Sequence, residues 1–156
     1  MRLFVASIVI LFVVACGKAD RPEIEKIEIR QSGWQSEDVT IASTGLGNYH
    51  ISEPYPEGQS GTFKMTHEQF VSLLSSLEPY RAEAEPYTDE SALRFIKNPC
   101  PPRVPRITDA GAMHIRWRGP EYDMHFLMDF GCDPKRHATR NSQLRRTFEQ
   151  LPLPRY

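Results

Sequence analysis

His114 and His125 are the residues whose type and placement first suggest chemistry. They flank Gly119-Pro120 in two runs that alternate apolar and polar residues, the pattern of a β-hairpin. Brought side by side, two imidazoles could ligate one metal ion, with Asp123 or Asp129 as the further donor that a metal site needs. No further spaced His or Cys set supports them, so no metal and no cofactor is expected. His50, His67 and His137 read as surface residues. The chain has no Gly-x-Ser-x-Gly elbow, Cys-His pair, phosphate loop or dinucleotide fingerprint. Glu78, Glu83, Glu85, Asp89 and Glu90 lie among prolines and read as a solvated loop. The sequence predicts a protein that is not an enzyme.

The third chemically distinctive residue is Cys16. Before it come Met1, Arg2 and an uncharged stretch from Leu3 to Ala15; about 13 apolar or small residues behind one positive charge make a signal peptide, whereas a spanning helix needs roughly 20. Val13-Val14-Ala15-Cys16-Gly17 resembles the lipobox of bacterial lipoproteins, in which an aliphatic and a small residue precede the cysteine that receives lipid, palmitate included, and becomes residue one. The resemblance implies export, cleavage before Cys16 and a membrane partner through the lipid. With Gly17 rather than Asp after the cysteine, it also implies sorting in a diderm host to the outer membrane, facing the periplasm.

With Cys16 committed to lipid, only Cys100 and Cys132 remain, an even pair in an oxidising compartment. A Cys100–Cys132 disulfide is therefore expected. Cleavage of 15 of the 156 residues leaves 141, enough for one domain. Losing Arg2 leaves 18 basic against 20 acidic side chains, a charge of about −2 that selects against a nucleic-acid partner. The expected organisation is a signal peptide over 1–15, lipidated Cys16 and a short tether over 16–23, and a single domain over 24–156. Extended, residues 16–22 reach about 25 Å, which keeps the domain near the bilayer.

Asn98-Pro99-Cys100-Pro101-Pro102-Arg103-Val104-Pro105-Arg106 combines the expected disulfide with proline stiffening, which predicts an extended, pre-organised loop. With Trp117-Arg118-Gly119 and Cys132, this stretch of about 35 residues resembles the reactive region of subtilisin-inhibitor-like proteins. The resemblance implies a serine protease partner, with Arg103 in the inhibitory position and Val104 after it. The competing expectation is a stapled connection between sheet and hairpin. Lys135, Arg136, His137, Arg140, Arg145 and Arg146 form a basic segment that could touch anionic headgroups or lie as a solvated helix face.

The elements that must position these residues are legible from period. Strand-like runs open at Ile24 to Arg30, Asp38 to Ser43, Asn48 to Ser52 and Gly58 to Met65, with Gly45 and Gly47 in a turn. Thr66-x-x-Gln69 is a capping box before Phe70, Leu73, Leu74 and Leu77, predicting a helix that ends before Pro79. Asp89 to Lys97 reads as a short helix, and Thr139 to Gln150 as a longer one stopped by Pro152. In the hairpin, pairing positions that sum to 239 sets His114 opposite His125 and Arg116 opposite Asp123. One face then carries Met113, Ile115, Trp117, Tyr122, Met124, Phe126 and Met128. The expected fold is α+β: an antiparallel sheet, from an N-terminal meander and a late hairpin, with one or two helices packed on one face. This layout resembles several families of uncharacterised envelope lipoproteins, a likeness that supplies no activity. The expected function is a membrane-anchored, non-enzymatic binding or envelope-maintenance domain with an envelope protein as partner. The alternative is a protease inhibitor acting through Arg103.

Overall fold

The structure is a computed structural model that describes residues 22–52 and 58–154; the expected signal peptide, Cys16 and the expected tether before Pro22 lie outside them. Alternation of apolar and polar residues produces the strands. β1 (Lys26–Ser32) pairs with β2 (Ser36–Ala42), β2 with β3 (Leu46–Ser52) and β3 with β4 (Gln59–Lys64), giving the expected meander. Helix α1 (His67–Arg81) follows, then the two-residue β5 (Glu85–Pro86) and α2 (Asp89–Lys97). β6 (Ala112–Gly119), β7 (Tyr122–Asp129) and α3 (Ala138–Glu149) complete the order. All pairings are antiparallel, in one seven-stranded sheet of order β4-β3-β2-β1-β6-β7-β5. The α+β class and the antiparallel sheet are as expected.

The long chain return from β4 to β6 places β6 against β1, so the meander and the hairpin share one apolar face. Ile27 lies opposite both Ile41 and Trp117, and Ile29 opposite both Val39 and Ile115. Against this face pack Phe70, Leu73, Leu77 and Tyr80 of α1 and Leu144 and Phe148 of α3, closing a core in which Ile27, Ile41, Ile115, Trp117 and Leu144 have no exposed surface. Burying each such side chain contributes roughly 1.5–3 kcal/mol. At the β2–β3 turn, Gly45 takes φ 82°, and any side chain there would strike the Met65 carbonyl; the Met65 N–H instead donates to Gly45 O at 2.8 Å.

Two expectations are corrected, while the two helices packed on one face, α1 and α3, are as expected. The hairpin pairs positions summing to 241, with Gly119 opposite Tyr122 and Pro120-Glu121 as the loop. A proline, with φ fixed near −65°, fits the first central position of a turn and not the second, where the expected register had put it. The slip of two residues keeps every side chain on its predicted face but sets His114 opposite Leu127 and His125 opposite Arg116. Helix α1 runs through Pro79 to Arg81; the carbonyl that Pro79 cannot serve belongs to Ser75, an exposed residue where water can satisfy it. Helix α2 lies on the opposite sheet face from α1 and α3, for its Ser91 contacts His125. Among the described residues no helix is long and apolar enough to cross a membrane.

Candidate functional site

The polar sheet face carries the two histidines, and α2 covers them. Two devices set the helix there: β5 pairs Glu85 with His125 and Pro86 with Met124, and the Tyr87 N–H donates to Asp123 O at 3.0 Å. Thr88 then caps α2, its hydroxyl accepting from the Ser91 N–H at 2.9 Å while the Thr88 N–H donates to Ser91 Oγ at 3.0 Å. This reciprocal cap fixes Ser91 with its Oγ 2.7 Å from His125 Nε2. On the other side of the ring, His125 Nδ1 lies 3.2 Å from His114 Nε2. A diagonal across the hairpin thus joins serine, histidine and histidine in one chain.

Tyr87 closes the cluster from above. Its ring meets His125 edge-on at 5.2 Å and stacks near His114 at 6.2 Å between centroids, while the Arg116 guanidinium sits 3.4 Å from its centroid. Arg116 in turn grips both oxygens of Asp123 at 2.6 Å, which holds that carboxyl below its usual range. Glu85, 3.8 Å from His125 Nε2, is drawn instead to Arg94 at 2.7 Å. Only 1% of His125 is exposed. Burial lowers the pKa of both rings, with His114 lowered to about 4 by burial, then by His125 and Arg116. Both are neutral at pH 7.

The polarity of the chain decides what it can do. Ser91 Oγ also lies 2.9 Å from Thr88 O, which accepts from the Ala92 N–H as well, and 3.3 Å from Pro86 O. With the hydroxyl proton on either carbonyl, the His125 Nε2–H donates to Ser91 and Nδ1 accepts from His114; the other tautomer reverses both bonds. A serine nucleophile needs the reverse, its own proton aimed at a vacant imidazole nitrogen. In either polarity the two bonds clasp α2 to the sheet.

The predicted third metal donors are elsewhere. Asp123 is taken up by Arg116, and Asp129 accepts from Arg106 at 3.0 Å and from the Gly131 N–H at 2.7 Å. Among the described residues no group of three or more metal-ligating side chains occurs. His50 pairs with Ser60 at 2.8 Å on the exposed sheet surface.

The predicted Cys100–Cys132 disulfide is present, with Cα atoms 5.4 Å apart. Around it the loop is pinned to the end of β7: the Ile107 N–H donates to Gly131 O and the Asp133 N–H to Pro105 O. The expected extended conformation is corrected. Pro101 to Val104 forms a turn with Arg103 at φ 70°, the conformation a turn demands after a proline. An inhibitor presents an extended backbone with free groups to pair with the enzyme, and here those flanking Arg106 are already bonded. Arg103 is exposed and Val104 half-buried. The basic C-terminal segment is likewise divided. Arg145 folds inward over the Phe130 ring at 4.1 Å and donates to Ala110 O, and Arg140 pairs with Glu83; Lys135, Arg136 and Arg146 stay exposed.

One further place could bind. Between the β1–β2 turn, the end of α2 and the loop before β6 lies a cleft of about 610 Å³, lined by Trp34, Phe95, Ile96, Pro99, Arg106 and Ile107 among others. Its floor is backbone: Gly111 takes φ 82°, and a side chain there would meet Ser32 O. Trp34 is 92% exposed, the most of any large apolar residue described. No protein-family model matches the chain, and no curated protein shows significant similarity to it. Sequence reasoning missed both Trp34 and Ser91. The Thr88-x-x-Ser91 spacing was the one local signal for the clasp.

Proposed function

We propose that this is a non-enzymatic binding domain of the cell envelope, tethered to a membrane through lipid on Cys16. The observation that carries the binding reading is the exposed apolar cleft at Trp34. Soluble monomers seldom leave a large aromatic and several aliphatic side chains uncovered around one concavity without a use for them. The lipobox supports the anchor, and the Cys100–Cys132 staple suits an oxidising compartment. The clasp at Ser91 is consistent with a scaffold role, because its donors and acceptors are spent inside the fold.

Two measurements test the reading. Labelled palmitate should enter the wild-type chain and not Cys16→Ser, which should leave the membrane fraction. A photo-crosslinking residue at position 34 should yield adducts in intact cells while one at exposed Asn48 does not. Equal labelling of Cys16→Ser overturns the anchor, and absence of any adduct from position 34 overturns the binding reading.

A further inference from the structure

We propose that the Trp34 cleft is the contact surface of a twofold-symmetric dimer of this chain, an inference that rests on the binding reading and names its partner. The apolar residues around it are laid out as one surface. Ile96 is 72% exposed and Ile107 56%, and both line the cleft with Trp34; Leu93, 51% exposed, precedes Ile96 by one helical turn of α2. Four such side chains present on the order of 500 Å² of apolar surface. A stable interface takes about 800 Å² from each partner, its centre apolar and its rim polar. The balance of about 300 Å² has to come from the polar surface around the patch.

Self-complementarity points to a second copy. The same patch carries a projecting indole and a concavity of about 610 Å³, large enough to receive one. A twofold axis sets each Trp34 into the other copy's cleft, which is what an isologous interface requires. The rim carries both signs, Arg106 and exposed Asp109, and the same axis can set one copy's Arg106 against the other's Asp109. Arg106 pairs with Asp129 at 3.0 Å yet keeps half of its side chain exposed toward the rim, and with Asp109 and Asp129 both lining the cleft its carboxylates outnumber that guanidinium, which disfavours an anionic bilayer. Trp34 also follows β1, while Pro22, from which the tether departs, precedes it. The strand alone separates them by roughly 23 Å.

The test is sedimentation equilibrium of the mature chain carrying Cys16→Ser. The expected result is a monomer–dimer equilibrium weakened about tenfold or more by Trp34→Ser and by Ile96→Ser, and also by Asp109→Lys. These side chains are exposed, and unchanged far-ultraviolet circular dichroism confirms that each variant folds. A monomer up to about 0.5 mM, or a dimer indifferent to Trp34→Ser, overturns the proposal. Adducts from position 34 only to another protein, with a monomer in solution, overturn the dimer and leave the binding reading standing. Salt-sensitive binding to phosphatidylglycerol vesicles with a blue shift of Trp34 fluorescence, again with a monomer, assigns the cleft to lipid and overturns it too.

Discussion

Ser91 Oγ and His125 Nε2 lie 2.7 Å apart, 34 residues distant in sequence, in a hydrogen bond buried between α2 and the sheet. A helix cap and a cross-strand histidine pair are thereby made into one clasp. The consequence is mechanical: α2, which carries Leu93 and Ile96, is held to the polar sheet face by a few neutral, buried hydrogen bonds. Few apolar contacts back them up, since Leu93 and Ile96 point outward.

Acid should open that clasp. His114 has its pKa lowered to about 4, against 6.5 for an unperturbed histidine, and that of His125 is lowered as well. A depressed histidine binds fewer protons folded than unfolded, so its stabilising effect is complete above about pH 6.5 and is lost as pH falls toward 4. For His114 the loss is on the order of 3 kcal/mol across that window. Urea unfolding at pH 7.5, 5.5 and 4.5 should show the decline, and His114→Gln should flatten it. Facing the pair are Glu85, Asp123, Arg116, Arg94 and Tyr87, with Glu28 and Arg30 nearby on β1; protonation adds charge beside two guanidinium groups. Identical slopes in wild type and His114→Gln would refute the assignment.

Ser91→Ala should cost more than an ordinary cap. It removes the partner of His125 Nε2 and half of the Thr88 box, leaving a buried ring nitrogen unpaired. The expected loss is about 1–3 kcal/mol. Ser76→Ala serves as the control, since the Ser76 hydroxyl merely returns to Ser72 O on its own helix. Hydrogen exchange in α2 should rise in Ser91→Ala and stay unchanged in the control. Exchange confined to wild-type rates would mean that the clasp does not hold the helix.

The sequence carried much of this fold because alternation is a strong signal wherever one sheet face is buried. Ile27, Ile29, Val39 and Ile41 announce β1 and β2, and Met113 to Met128 announce the hairpin and its inward face. Register was less legible, because a slip of two residues preserves the faces; only the turn position of Pro120 distinguishes the alternatives. Pro79 misled in the other direction, since the tertiary contact of Tyr80 with Phe126, at 5.5 Å between rings, extends the helix past a residue that usually ends one. The clasp and the cleft were illegible for a common reason. Ser91, His125, Trp34 and Ile107 come from segments far apart in the chain, and no local period records their meeting.

Pro79→Ala should stabilise the domain. Proline in a helix interior is unfavourable by about 3 kcal/mol relative to alanine, part of which is offset by its restriction of the unfolded chain. Because Ser75 is exposed, the gain should fall nearer 1–2 kcal/mol. Chemical denaturation gives the sign directly, and a destabilised Pro79→Ala would mean that the ring itself packs in a way its exposure does not suggest.

Reducing the Cys100–Cys132 disulfide should destabilise the fold without dissolving the clasp. The bridge closes a loop with a sequence separation of 32, for which chain entropy predicts roughly 3–4 kcal/mol. The paired Cys100→Ser, Cys132→Ser variant should show that loss in denaturant. Its His114 resonance should still titrate near pH 4, because the α2 cap and the hairpin that set Ser91 against His125 both lie outside the Cys100–Pro105 turn. The wall of the Trp34 cleft should respond, since Ile107 and Arg106 owe their place to the chain pinned beside Cys132. Trp34 fluorescence, read against a Trp117→Phe background, should therefore shift on reduction. A variant that loses the low histidine titration together with the cleft signal would show that staple and clasp form one cooperative unit, contrary to the separation inferred from their contacts.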